Sequence, residues 1–324
     1  MKFRLISGLL AFLCLIGVVH AQTREWPNQK PIRLIAVFPP GGSVDQVARI
    51  LAPALQNQLK QSVMVENIGG ASGVLGTNAL AKAAPDGYTF AVVFDSHGVN
   101  PGLKDKMPYD TKRDITTVTM IGTAPMVLIA SKASGITSFK QLIEQSKAKK
   151  SANYGSIGTG SLGHLAMALL AKEGKFDWTH VPYRGGGPLM QDALTGHVTL
   201  AIGSLFLVKP HIDANGLVPL AVTTKKRTVE LPNVPTVAES GYPNFAAPAW
   251  WAIIAPAKTP DVLINRMHAE IAKALKRPEV ANRLKSQGIE IAGLGPKSAQ
   301  EFVNQQIDIW GKFIKENNIK EESN

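Results

Sequence analysis

"FPPGGSVDQVAR" (Phe38–Arg49) joins two kinds of pattern. Before it lies an apolar β-like run, Ile32–Phe38; after its prolines and glycines the chain takes a helical period to about Leu59. Ser43 stands three residues ahead of Gln46, the spacing of a capping box. Gly41 and Gly42 have no Cβ, so a ligand can approach the backbone closely. The N–H groups of Gly42, Ser43 and Val44 should point out of a helix N-terminus, which attracts anions. The joint is not a phosphate loop, because neither G-x-x-x-x-G-K-[ST] nor G-x-G-x-x-G occurs. Asp45 and Arg49, four residues apart, should pair on the helix and stay structural.

The same joint recurs. "NIGGASGVLG" (Asn67–Gly76) precedes a helix and suits either a pocket wall or tight packing. "YGSIGTGSLGH" (Tyr154–His164) offers hydroxyls at Ser156, Thr159 and Ser161. "VPYRGGGP" (Val181–Pro188) sets Tyr183 and Arg184 before three glycines. Four strand–glycine–helix joints in one chain suggest a cleft lined by backbone donors and hydroxyls.

Outward from these loops, β and α segments alternate. Strands are expected at Ser62–Glu66, Tyr88–Phe94, Met126–Ser131, Ala152–Gly155, Thr179–Tyr183, Leu200–Ser204 and Leu217–Thr223. Helices are expected near Thr77–Ala83, from Ser138 to about Lys147 with a Ser138/Gln141 capping box, and around Pro210–Asn215. The C-terminal part reads as helical. Thr259-Pro260 starts one helix, with Ile264, Met267, Ile271 and Leu275 on a core face. Ser298 and Glu301 suggest a capping box for another, whose core face is Val303, Ile307, Trp310 and Ile314. Alternation of this kind argues for α/β architecture, mostly parallel sheets with helices on both faces and ligands beyond the strands' carboxyl ends.

The ends and the composition narrow the functions. Lys2 and Arg4, the apolar Leu5–Val19 and the small residues of Val19-His20-Ala21 make residues 1–21 a signal peptide cleaved near Ala21. Cys14, the only cysteine, lies inside that apolar run, so the exported chain has no thiol chemistry. Removing Lys2 and Arg4 takes the formal net charge from +11 to +9. The basic residues are scattered and not interleaved with aromatics, which argues against nucleic acid and leaves a field favouring acidic ligands. The six histidines after residue 21 show no H-x-x-x-H spacing, so no metal is expected. Ser161 misses the G-x-S-x-G elbow because Thr159 stands at the first glycine's place; it reads as a helix cap.

Taken together, "PIRLIAVFPPGGSVDQVAR", "AKAAPDGYTF", "NYGSIGTGSLGHLA", "HVPYRGGGP", "LPNVPTVAESGYP" and "WWAIIAPAKTP" resemble the tripartite tricarboxylate transporter receptors, also called Bug extracytoplasmic solute receptors. The resemblance covers about Trp26 to Ile319 in the family's order. It implies a two-lobed periplasmic binding protein fold (type II-like), with crossovers near Pro125 and Thr224. Lobe 1 would hold residues 22–124 and 225–324, and lobe 2 residues 125–224. It implies a monomer that needs no cofactor, captures a small carboxylate (di- or tricarboxylate, aromatic or amino acid) by hinge closure, and delivers it to a membrane permease.

By family position the ligand residues would be Phe38, Gly41, Gly42 and Ser43 from lobe 1. From lobe 2 they would be Ser156, Gly158, Thr159, Ser161, Tyr183 and Arg184, with Trp250 near the hinge. Two places depart from the family's pattern. Asp95-Ser96-His97 replaces small residues, and Asp95 could bind an amine, repel a second carboxylate, or pair internally with His97 or a lysine, the last being favoured. Gly203-Ser204 lacks the usual acidic or amide side chain. The alternatives to transport are ligand sensing through a membrane partner and, least favoured, a secreted serine hydrolase.

Overall fold

The computed structural model describes residues 26–320. Residues 1–25, which include the expected signal peptide and Cys14, and the last four residues lie outside the described residues. The elements run β1 (Ile32–Ala36), α1 (Ser43–Leu59), β2 (Val63–Asn67), α2 (Val74–Ala81), β3 (Thr89–Phe94), α3 (Ser96–Leu103) and β4 (Ile115–Ala124). The chain then crosses into β5 (Met126–Ser131), α4 (Phe139–Lys147), β6 (Ala152–Ser156), α5 (Leu162–Gly174), β7 (Trp178–Pro182), α6 (Gly186–Thr195), β8 (Leu200–Ser204), α7 (Leu205–Asp213) and β9 (Leu217–Val222). It returns through β10 (Ala249–Pro256), α8 (Asp261–Lys276), α9 (Pro278–Lys285), β11 (Glu290–Leu294) and α10 (Pro296–Glu316).

Two sheets define two lobes. One is ordered β11-β4-β10-β3-β1-β2, the other β7-β6-β8-β5-β9. The βαβ units are parallel, as the alternation predicts: β1 with β2 and β3, and β6 with β7 and β8. Both sheets are nonetheless mixed, not mostly parallel. The strands next to the crossovers run the other way, with β10 antiparallel to β3 and β4, β11 to β4, and β5 to β8 and β9. All of β3 and all of β10 is buried, because helices cover both faces.

The second crossover lies later than Thr224. After β9, Val222 N donates to Pro235 O, Val237 N to Val222 O and Ala247 N to Thr223 O. Leu231 and Val234 join a core with Val127 and Ile129 of β5. Residues 225–248 therefore belong with lobe 2, held by these bonds and this burial, and the return to lobe 1 comes at β10. Thr223 ties the crossings together. Its Oγ1 accepts from Met126 N at 3.0 Å and donates to Ala247 O at 2.7 Å.

Caps follow local sequence where nothing else competes. Ser138 Oγ accepts from Gln141 N, and Ser161 Oγ from His164 N. The Ser298/Glu301 box does not form, because α10 starts earlier, at Pro296 with Gly295 as N-cap. α8 likewise starts at Asp261, with Pro260 and not Thr259 at the cap. The core faces read from spacing in α8 and α10 are buried.

Candidate functional site

The β1–α1 joint is built around Asp45. Gly41 takes φ +82°, open to glycine, and its N–H donates to Asp45 Oδ2 at 2.9 Å. Asp45 Oδ1 accepts from Arg49 Nε at 2.8 Å and from Asn67 Nδ2 at 2.9 Å. Asn67 Nδ2 also donates to Phe38 O. Burial works to raise the Asp45 carboxyl's pKa, but the Gly41 N–H, Asn67 and Arg49 hold it below the usual carboxylate range. The i,i+4 pair is thus real and does more than decorate the helix: it neutralises Asp45 and fixes the loop's path.

The expected Ser43–Gln46 capping box is absent. Gly42 is the N-cap, Ser43 Oγ accepts instead from Trp251 Nε1 at 3.3 Å, and Gln46 Nε2 donates to Gly41 O. The first N–H groups of α1 consequently have no acceptor inside the helix. "NIGGASGVLG" is packing: a Cβ on Gly69 would stand 2.9 Å from Pro39 Cδ, and one on Gly76 would stand 2.5 Å from Ile68 O.

Facing this joint across the lobes are the N-terminus of α6, with Arg184 and Gly185–Gly187, and that of α7, with Ser204 as its N-cap. Between them lies a cavity of about 380 Å³. Phe38, Gly41, Gly42, Ser43, Arg184 and Ser204 all line it. Arg184 is exposed and forms no ion pair among the described residues. Sequence reasoning does not single out Phe94, Met126, Ile157, Phe206 or Leu207, which also line the cavity. Each except Leu207 sits within two residues of a strand end, which is the signal that could have found it.

The remaining expected residues do not line the cavity. Ser161 Oγ donates to Ser156 Oγ, which in turn meets Gly158 and, at 2.8 Å, His180 Nε2. Thr159 belongs to the same β6–α5 loop. His180 stacks on His164 with centroids 3.9 Å apart. Burial lowers the His180 pKa to about 3 and that of His164 to about 4. Tyr183 turns its hydroxyl to Asp192 at 2.8 Å and lays its ring against Gly155. Trp250 is buried edge-on against Phe302, and Ser96 Oγ donates to Ser72 O.

Asp95 corrects the favoured expectation. It is 1% exposed, neither carboxylate oxygen has a hydrogen-bond partner, and it pairs with neither His97 nor a lysine. Burial pushes its carboxyl well above the usual range and takes His97 down to about 4. Among the described residues no helix is long and apolar enough to cross a membrane.

The sequence and the fold have counterparts among known proteins. The protein BugT of Bordetella pertussis is 34% identical over 320 residues, covering 98% of each chain. The structure of R. palustris Rpa4515 with adipate superposes with a TM-score of 0.85 at 32% identity, over 91% of this chain and 99% of that one. MatC (Rpa3494) from Rhodopseudomonas palustris, with bound malate, gives 0.81 at 27%, over 89% and 99%. The profile described as "Tripartite tricarboxylate transporter family receptor" matches residues 47–319. With that match over most of its length, two lobes and a cleft between helix N-termini, the chain belongs to the tripartite tricarboxylate transporter receptor family.

Proposed function

We propose that the protein is a periplasmic receptor that captures a small carboxylate between its lobes and hands it to a tripartite-type membrane permease. The observation that carries this reading is the convergence of the α1, α6 and α7 N-termini on one cavity that also holds an unpaired arginine, Arg184. Helix N-termini present free N–H groups and positive dipole character, so a carboxylate gains there without a dedicated cation pair. Binding adipate and malate in similar proteins fits the same reading.

Reciprocal contacts between the lobes support hinge closure as part of this reading. Leu103 of lobe 1 seats on Gly160 of lobe 2, and Leu205 of lobe 2 seats on Gly288 of lobe 1. With Thr223 joining the crossing strands, lobe rotation would open the cavity without breaking either sheet. A serine hydrolase fits the geometry poorly. The serine beside a histidine is Ser156, which is buried and does not line the cavity, and His180 Nδ1 has no orienting partner. A histidine with a pKa near 3 is also a weak base at neutral pH.

A thermal-shift screen of the exported chain against mono-, di- and tricarboxylates tests this. A cognate acid at a hundred times its Kd should add about 2.7 kcal/mol of stability. If no carboxylate raises the Tm, the receptor reading fails.

A further inference from the structure

The carboxylate reading above, on which this inference rests, leaves the body of the ligand open, and the cavity wall narrows it. Among the described residues only Ser43, Arg184 and Ser204 bring a side-chain nitrogen or oxygen to the lining. Ser43 Oγ is already engaged by Trp251 Nε1. No acid, amide, histidine or lysine side chain of the described residues lines the cavity.

The remaining surface is hydrocarbon, and much of it is aromatic. Phe38 follows β1, Phe94 ends β3 and Phe206 opens α7, so three phenylalanines reach the cavity from both lobes, with Met126, Ile157 and Leu207 among them. Phe38 and Phe94 meet edge to face at 6.3 Å and 87°, and Trp251 backs Phe94 at 5.0 Å. These contacts hold Phe94 rigid. A flat ring placed among such edges and faces gains both burial and quadrupole contacts, and the Met126 sulfur suits an aromatic edge.

A hydroxylated di- or tricarboxylate meets the opposite conditions. One carboxylate can use Arg184 and the glycine N–H groups. A further hydroxyl or carboxylate that falls among the phenylalanines, away from the helix N-termini, would be buried without a partner, at about tenfold or more in affinity per group.

We propose that the cavity selects an aromatic carboxylic acid, with the carboxylate at the glycine-rich joints beside Arg184 and the ring among Phe38, Phe94 and Phe206. Malate- and citrate-like acids are discriminated against by the lack of polar side chains. Phe206 sets much of this selectivity from lobe 2, and being only half-buried it can be changed without threatening the core.

Calorimetric titration of the exported chain with benzoate, benzyl alcohol, malate and citrate tests the proposal, repeated on Phe206→Ala. Benzoate should bind at least about tenfold tighter than malate or citrate, and Phe206→Ala should remove about tenfold of that from benzoate alone. Malate or citrate binding as tightly as benzoate would overturn the aromatic assignment while leaving the carboxylate reading intact. So would Phe206→Ala weakening all acids equally. Benzyl alcohol binding as well as benzoate, or no acid binding at all, would instead overturn the carboxylate reading and this inference with it.

Discussion

Asp45 shapes the cleft although it does not line it. Three donors, from Gly41, Asn67 and Arg49, converge on its carboxylate. Asp45→Ala should therefore cost about 1–3 kcal/mol by leaving the Gly41 N–H and Asn67 without their acceptor. Ligand affinity should fall as well, because the loop loses its path; chemical denaturation and calorimetry would check both. Asp95 predicts the opposite sign. Its folded pKa is raised, so the native state holds a proton that the unfolded chain releases above about 3.9. Its stabilising effect is thus present at acid pH and lost as pH rises. Asp95→Asn should raise the Tm at pH 7 and raise it less at pH 4.5. At this scale the sequence reveals pairings four residues apart, such as Asp45–Arg49, but not long-range competition. Ser43 gives up its cap to Trp251, a partner 208 residues away, and the isolation of Asp95 depends on what surrounds it in space.

Among the elements, the βαβ units were legible from alternation and turn residues, while β4, β10 and β11 were not. β10 reads as one apolar run, which periodicity cannot separate from a buried helix. α3 contains Gly98, Pro101 and Gly102, poor helix residues; it exists because Gly102 lets it lie close on Gly311 of α10, where a Cβ would come within 2.7 Å of the Gly311 Cα. The joints around the cavity show the same division. Glycine-rich loops announced themselves, but apolar lining such as Phe206 looks like ordinary core in sequence. Two predictions belong here. Thr223→Val should cost about 1–3 kcal/mol, since Met126 N–H and Ala247 C=O lose their shared hydroxyl. Gly160→Val should hold the lobes apart. Gly160 has φ +74°, and an added Cβ would stand 1.8 Å from Leu103 Cδ2. Small-angle scattering should show a larger radius of gyration in ligand, and calorimetry a weaker affinity; an unchanged radius and affinity would remove this contact from closure.

For the whole molecule, one buried and two half-buried histidines set the response to acid. His97, His164 and His180 have folded pKa values lowered by burial to about 4, 4 and 3. Unfolded histidine takes a proton near 6.5, so their contribution is complete above that value and lost as pH falls toward 4. In the Asp95→Asn variant, which removes the opposite trend of that carboxyl, the Tm should decline from pH 7 to pH 4.5; a Tm that stays flat would contradict the assignment. In the proposed receptor, two lobes meet around helix N-termini and Arg184 to hold a carboxylate. The most direct measurement is calorimetric titration of the tightest-binding acid and of its primary amide, on the unaltered chain and on Arg184→Ala. The acid should bind, the amide should not, and Arg184→Ala should weaken the acid by at least about tenfold. An amide that binds as tightly as the acid, or an affinity that ignores Arg184, would contradict the carboxylate reading.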